Sequence, residues 1–521
     1  MDEQKRIAQA AGLISIATFI SRILGYVKDM ILARYFGATG IADTFFVAFR
    51  IPNLLRELFA EGAMSAACIP VLTEYQTKHG REEAKKLLRI TFSFILLSVG
   101  LICCAGIVFA PGIVTVIAPG FAGMPQKFFL TVSLTRIMFP FLLFISLAAL
   151  VMGALNTRRI FFIPALAPAT LNITIILCVL IFAARIEQPI FAVAWGVALG
   201  GLIQFAFQLP SFFQSGYSLR PDFDFKHRGL RRMAVLMIPA TMGMAVAQIN
   251  IFVSTILASY LPEGSITYLY YSMRLIQFPV GIFGVAMGMA VLPALSEHAV
   301  RGDYDKLRED FSYALRILFF ITVPAMAGLI ALREPIVHLL FQRGQFDYAA
   351  TVETAHALFF YSLGIWSMVG VRIATAGFYS MQDTKTPVKI AAIAVTANII
   401  FSIILMQPLK HSGLALANTL ASGLNFTVLL LFLRKRLVTI DGRRILSSFL
   451  KSILASAIMG LSAWVLLHGT FWENQGNTLQ KVLYLSGTIV VCVGLYLAVV
   501  FLLKSEELHS VAIMIRKKFR K

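Results

Sequence analysis

The sequence predicts an all-α polytopic membrane protein of about fourteen transmembrane helices. Of its 521 residues, 58% are hydrophobic and only 14% are charged. The mean hydropathy is +0.79. The apolar residues also run in stretches of about 20, the length a helix needs to cross roughly 30 Å of hydrocarbon at 1.5 Å per residue. No soluble core of this length could hide so much apolar surface. In order, the expected spans are 9–36, 42–73, 90–118, 128–155, 160–184, 189–213, 233–260, 265–296, 309–332, 350–379, 386–407, 411–433, 446–469 and 482–503. The apolar piece from Glu334 to Phe346 is short and broken by Pro335 and Gly344, so it reads as a surface or re-entrant segment.

Basic residues orient these spans. About 30 of the 46 Lys and Arg fall in alternate loops and at the termini, against six in the loops of the opposite side. Cytoplasmic loops carry such an excess, so both termini are expected in the cytoplasm. The net charge of +20 is then mostly an orientation signal, and nucleic acid is not an expected partner. The N-terminal apolar run is interrupted by Arg22 and passes Lys28 and Asp29 with no small-residue cleavage site, so it is expected to remain as the first helix. Cys68, Cys103, Cys104, Cys178 and Cys492 lie in apolar stretches without metal-type spacing, and the eight histidines are scattered. With no G-x-x-x-x-G-K-[ST] sequence either, no disulfide framework, metal site, nucleotide hydrolase or cofactor is expected.

An internal repeat appears at an offset of about 223 residues. IPVLTEY (Ile69 to Tyr75) closes the second span and LPALSEH (Leu292 to His298) closes the eighth. GALNTRRIFFIP (Gly153 to Pro164) joins spans four and five, and GFYSMQDTKTP (Gly377 to Pro387) joins spans ten and eleven. Six spans, an even number, separate the equivalents, so the halves share one orientation and form a parallel repeat. The expected organisation is a six-helix lobe over 1–215, a second over 216–435, and two additional helices with a basic tail over 436–521.

Charges inside the apolar spans mark the functional candidates. Arg22, Lys28, Arg50, Arg56 and Arg274 all lie at expected membrane depth, where a cation costs roughly 2.5–3.5 kcal/mol on insertion scales. Ser15, Arg22 and Asp29 share one face of the first span at seven-residue spacing. Arg50, Asn53, Arg56, Glu57 and Glu61 form a polar stripe on the second, with Pro52 available to bend it. Tyr270, Arg274 and Gln277 line the eighth, ahead of Pro279. Buried ion pairing with Asp29, Asp43, Glu57 and Glu61 is one reading. However, the cations within the spans outnumber the acids, and a surplus of guanidinium forks suits a phosphate or pyrophosphate group. Arg22, Arg56 and Arg274 lead as ligands, with Lys28 as a point charge, while Asp29, Asp43, Glu57 and Glu61 pair with them or gate the halves.

At these residues the chain resembles a known family. TFISRILGYVKD, ADTFFVAFRIPNLLRELFAEGAMSAACIPVLTEY, YYSMRLIQFPVGIFGVAMGMAVLPALS and GFYSMQDTKTPVKIA are similar to the MurJ (MviN) lipid II flippases of the multidrug/oligosaccharidyl-lipid/polysaccharide exporter superfamily. The resemblance runs along essentially the whole chain. It implies two lobes in a V around a cationic cavity in the bacterial inner membrane. It also implies alternating-access transport, without enzymatic chemistry, of undecaprenyl-pyrophosphate-linked muropeptide to the outer leaflet for peptidoglycan synthesis. Positions matching Arg22, Arg56 and Arg274 are cavity arginines in that family, and those matching Asp29, Asp43, Asn53 and Glu61 are functionally sensitive. Lys28 stands where the family often has arginine. The last two helices would hold the prenyl tail, and the partners implied are lipid II, membrane lipids and cell-wall synthesis proteins. The driving force stays open between membrane potential and coupling to sodium or protons.

Three other functions fit parts of the pattern. A multidrug antiporter would share the fold, but its mostly cationic substrates would be repelled by surplus arginine. A flippase for another polyprenyl-linked glycan would use the same arginines. A membrane scaffold for cell-wall enzymes would have its charges merely paired.

Overall fold

A computed structural model of the chain describes residues 3–57, 64–437, 439–510 and 513, and among these every regular element is helical. The helices gather into two compact units, Met1–Gly264 and Ser265–Lys521. In the first are α1 (Glu3–Phe36), α2 (Gly40–Leu55), α3 (Met64–Lys78), α4 (Arg81–Val108), α5 (Ala110–Ile117), α6 (Pro125–Met138), α7 (Pro140–Thr157), α8 (Phe162–Phe182), α9 (Ile190–Gln214) and α10 (Arg228–Ser259). In the second are α11 (Ser265–Pro279), α12 (Val285–Arg301), α13 (Tyr304–Ala331), α14 (Arg333–Phe341), α15 (Tyr348–Ser362), α16 (Ile365–Ser380), α17 (Lys385–Leu437), α18 (Gly442–Leu467) and α19 (Thr478–Leu502). Ten helical stretches among the described residues are long and apolar enough to cross a membrane. One of them, the 53-residue α17, breaks at Lys410 (φ 49°, ψ −132°), between the eleventh and twelfth expected spans. The short segment expected around Glu334 is the nine-residue helix α14.

Small residues let these helices approach, as they must where lipid tails offer no hydrophobic drive for helix association. In the first unit α9 packs on α7 and α8. A Cβ at Gly200 would stand 2.5 Å from Leu171 of α8, and one at Gly201 would stand 2.7 Å from the Phe141 ring of α7. In the second unit, Gly364, Gly370 and Gly377, along α16 and at its N-cap, seat Thr419, Phe426 and Leu433 of α17. The appended helices α18 and α19 join the second unit through a core that includes Phe320, Leu332, Met459, Trp472 and Tyr496. There the Tyr496 hydroxyl donates to the carbonyl of Phe320 (2.7 Å). Outward faces stay apolar, with Leu101, Phe109, Leu461 and Val465 all exposed, which is the surface a bilayer requires.

The repeat is written in the backbone. After α7, the Leu155 carbonyl accepts from the amides of Arg158 and Ile160 and the Asn156 carbonyl from that of Arg159. After α16, Phe378 accepts from Met381 and Asp383, and Tyr379 from Gln382. All these bonds match at an offset of 223. The residues that turn the chain, Arg159 and Gln382, take φ of 61° and 60°. This is the same helix-closing Schellman arrangement in both halves. Pro70 inside α3 and Pro293 inside α12 are likewise equivalent. A π-type turn begins at Arg56 and Glu57, and another spans Val280–Gly284. Such bulges concentrate at functional sites.

Candidate functional site

On α1, Arg22 and Asp29 lie seven residues apart but meet different surroundings. Asp29 is fully buried and its carboxylate lies 3.1 Å from the ammonium of Lys28. Arg22 is exposed and has no hydrogen-bond or ion-pair partner among the described residues. A bare guanidinium in hydrocarbon costs several kcal/mol.

On α2 the spacing of three and four residues closes a local network. The Asn53 amide donates to Glu57 Oε1 (3.0 Å) while its carbonyl accepts from Arg56 Nε (3.0 Å). Arg56 also reaches Glu57 Oε1 at 3.7 Å. The second Glu57 oxygen accepts from the Gln248 amide of α10 (2.6 Å). Glu57 is thus engaged on both oxygens, holding Arg56 and tying α2 to α10. Arg50 is half-buried one turn earlier, ahead of Pro52.

Asp43, in the first turn of α2, is 1% exposed. One oxygen accepts from the backbone N–H of Gly264 (2.8 Å) and faces Lys127 Nζ of α6 at 3.5 Å. Lys127 also stacks over the Phe121 ring (4.6 Å) and lies 3.7 Å from Glu263. Sequence reasoning missed Lys127, Gln248 and Gly264 as partners. The available signal was Asp43 itself: an acid at the start of an apolar span needs a cation, and the loop before the fourth span holds one. Glu61 lies outside the described residues. Arg274, in the second unit, is half-buried on α11, five residues before Pro279 and the π turn.

The structure thus brings together Lys28 with Asp29, Asn53 with Arg56 and Glu57, and Asp43 with Lys127. The family model described as "Lipid II flippase MurJ" matches residues 32–487 of this chain. The chain belongs to the lipid II flippase MurJ family. A probable lipid II flippase MurJ of Vibrio cholerae is 37% identical over 507 residues, covering 96% of both chains. A lipid II flippase MurJ of Burkholderia cenocepacia is 33% identical, covering 94% of this chain and 96% of its own. Among solved structures, a lipid II flippase MurJ in an inward closed conformation superposes with a TM-score of 0.77 at 28% identity, covering 94% of this chain and 99% of its own. An inward-facing multidrug resistance transporter of the MATE family and MOP superfamily superposes with a TM-score of 0.68 at 15% identity over 83% of this chain and 99% of its own, a likeness of fold alone. MurJ membership makes this a transporter of the exporter fold and not an enzyme.

Proposed function

We propose that this chain carries lipid II, the undecaprenyl-pyrophosphate-linked muropeptide, from the cytoplasmic to the outer leaflet of the bacterial inner membrane by alternating access, feeding peptidoglycan synthesis. Family membership supports the substrate. The observation that carries the chemistry is Arg22, exposed on a membrane helix and without a partner among the described residues. A guanidinium presents a planar donor fork that takes pyrophosphate oxygens two at a time. In this reading Arg22, Arg56 and Arg274 grip the pyrophosphate, Lys28 adds a point charge, and Asn53 orients Arg56. Asp29, Asp43, Glu57 and Glu61 form the pairs that hold or gate the carrier.

The matching turns at an offset of 223 support two parallel repeats, and the loop bias in Lys and Arg supports both termini in the cytoplasm. Membrane potential acting on the intramembrane charges supplies about 2.3 kcal/mol per charge per 100 mV, enough to bias the return of the empty carrier, with or without a coupled cation. Cell-wall enzymes on the two sides would supply and consume the substrate.

The test is leaflet accessibility of labelled lipid II in proteoliposomes, with wild type and Arg274→Ala at matched insertion. Wild type moves the lipid under an imposed potential or ion gradient, and the variant does not. Folded wild type that moves none under any gradient would overturn the assignment. An Arg274→Ala variant as fast as wild type would remove Arg274 from the site.

A further inference from the structure

We propose that the first unit carries a second anion site, distinct from the transport residues, that holds the phosphate of an anionic phospholipid of the leaflet facing the ends of α3, α4 and α10. A cavity of about 460 Å³ opens there, lined by Tyr75, His79, Glu83, His227 and Arg228. Its one carboxylate is already engaged. His227 Nε2 lies 3.0 Å from Glu83 Oε1, and its Nδ1 accepts from the Gly229 N–H, capping α10. That acceptance fixes the proton on Nε2, so His227 donates to Glu83 and has nothing left for a ligand.

The other three polar side chains are donors with nothing to donate to. Among the described residues, the Tyr75 hydroxyl, the His79 imidazole and the Arg228 guanidinium make no hydrogen bond or ion pair. The His79 ring stacks on Tyr75 with centroids 4.8 Å apart, and His227 packs 5.5 Å from the same ring, so the donors are held to one cavity. The flanks are basic, with ten Lys and Arg against five Asp and Glu over residues 74–89 and 220–232. Basic pockets at the ends of membrane helices suit phosphate headgroups.

A neighbouring aromatic patch distinguishes a lipid from free phosphate. The segment before α10 lies along α4: the Asp222 amide donates to Ser93 Oγ (2.8 Å), and Lys86 meets Asp224 at 3.5 Å. This seats Phe225 on Phe94, ring centroids 6.0 Å apart, with Phe223 6.0 Å beyond. Phe94, Phe223 and Phe225 are 41%, 61% and 40% exposed. Along α4, Phe94 lies eleven residues from Glu83, about 16 Å at 1.5 Å per residue. Headgroup donors therefore stand at one level and an aromatic rail at the next, as a phospholipid's phosphate and acyl chain require.

The experiment measures lipid retained by the purified full chain, by native mass spectrometry, after exchange into phosphatidylglycerol or phosphatidylcholine. Wild type should retain phosphatidylglycerol about tenfold more. The double variant His79→Gln, Arg228→Gln should lose that preference, because the imidazole and the guanidinium go while the His227 cap of α10 and its bond to Glu83 stay. Arg228→Gln alone, at an exposed position, should lower it severalfold and controls for folding. Equal retention of both lipids by wild type, or a preference unchanged in the variants, overturns the proposal. Inorganic phosphate that displaces the lipid completely at millimolar concentration, with no effect of Phe94→Ala plus Phe225→Ala, overturns the lipid half and leaves a free-phosphate site. No step uses lipid II, so failure here is separable from failure of the transport assignment.

Discussion

Asp43→Asn isolates the charge of the buried pair that ties α2 to α6. The amide oxygen can still accept from the Gly264 N–H, and the side chain keeps its size. What disappears is the negative charge facing Lys127, whose side chain is 8% exposed. Removing one member of a buried pair costs about 3–5 kcal/mol when nothing else compensates the survivor. Here two groups do so in part: the Phe121 ring at 4.6 Å, a contact worth about 0.5–2 kcal/mol, and Glu263 at 3.7 Å, whose 64% exposure leaves it well screened. The expected loss is therefore about 2–3 kcal/mol. Lys127→Met removes the stranded cation, so the double variant should be more stable than Asp43→Asn alone, with a coupling of about 1–2 kcal/mol. Equilibrium unfolding of all four proteins in one detergent measures both quantities. A loss below about 0.5 kcal/mol for Asp43→Asn, or strictly additive variants, would refute the pair as a structural tie.

Three further outcomes follow from the geometry. Gly413→Ala would put a Cβ 2.1 Å from the Leu405 carbonyl oxygen, a backbone atom that no rotamer change can move, so thermal unfolding should show a loss of about 1–3 kcal/mol. Asp383 accepts from the amide and hydroxyl of Thr386 and from Arg436, and chiefly the Thr386 amide holds its carboxyl below the usual carboxylate range. A lowered folded value means stability that is present above the unfolded value, about 3.9, and lost as pH falls through the folded one. Asp383→Ala should thus cost about 1 kcal/mol at pH 7, with the gap to wild type narrowing in paired melts as the pH falls below the unfolded value, and a gap that does not change with pH would count against it. In the lipid II assay, Arg22→Ala should stop transport at matched insertion while Arg22→Lys retains a fraction, since lysine keeps the charge and loses the fork. Equal rates for all three proteins would remove Arg22 from the site.

What the sequence shows plainly is whatever depends on neighbours along the chain. Span length is such a property, and so are the pairs Lys28 with Asp29 and Arg56 with Glu57, which adjacency alone brings within 4 Å. The break at Lys410 was visible as the basic, proline-containing loop that separates two apolar runs. Contacts across the fold were not. Asp43 finds Lys127 84 residues away, and Glu57 finds Gln248 191 residues away. Lys127 looked like an ordinary loop charge because hydropathy records depth and not partners. The histidines looked scattered for the same reason, although His79 and His227, far apart in sequence, line one cavity. The compact units divide at Gly264, in the short loop between the seventh and eighth expected spans.

Charge balance then argues for the kind of substrate. Each described acid of the candidate set is already engaged by the protein: Asp29 by Lys28, Asp43 by Lys127 and Gly264, Glu57 by Asn53, Arg56 and Gln248. Around them the first unit sets Arg22, Lys28, Arg50, Arg56 and Lys127 against Asp29, Asp43, Glu57 and Glu263, five cations to four acids among the described residues. Each described acid of the candidate set is held by a cation or an amide, so none is left over for a cationic cargo. A carrier of organic cations would need the opposite imbalance, an acid left over to neutralise its cargo in a low-dielectric site. In the proposed reading, a pyrophosphate-bearing lipid brings the negative charge that lowers the cost of holding these arginines at membrane depth.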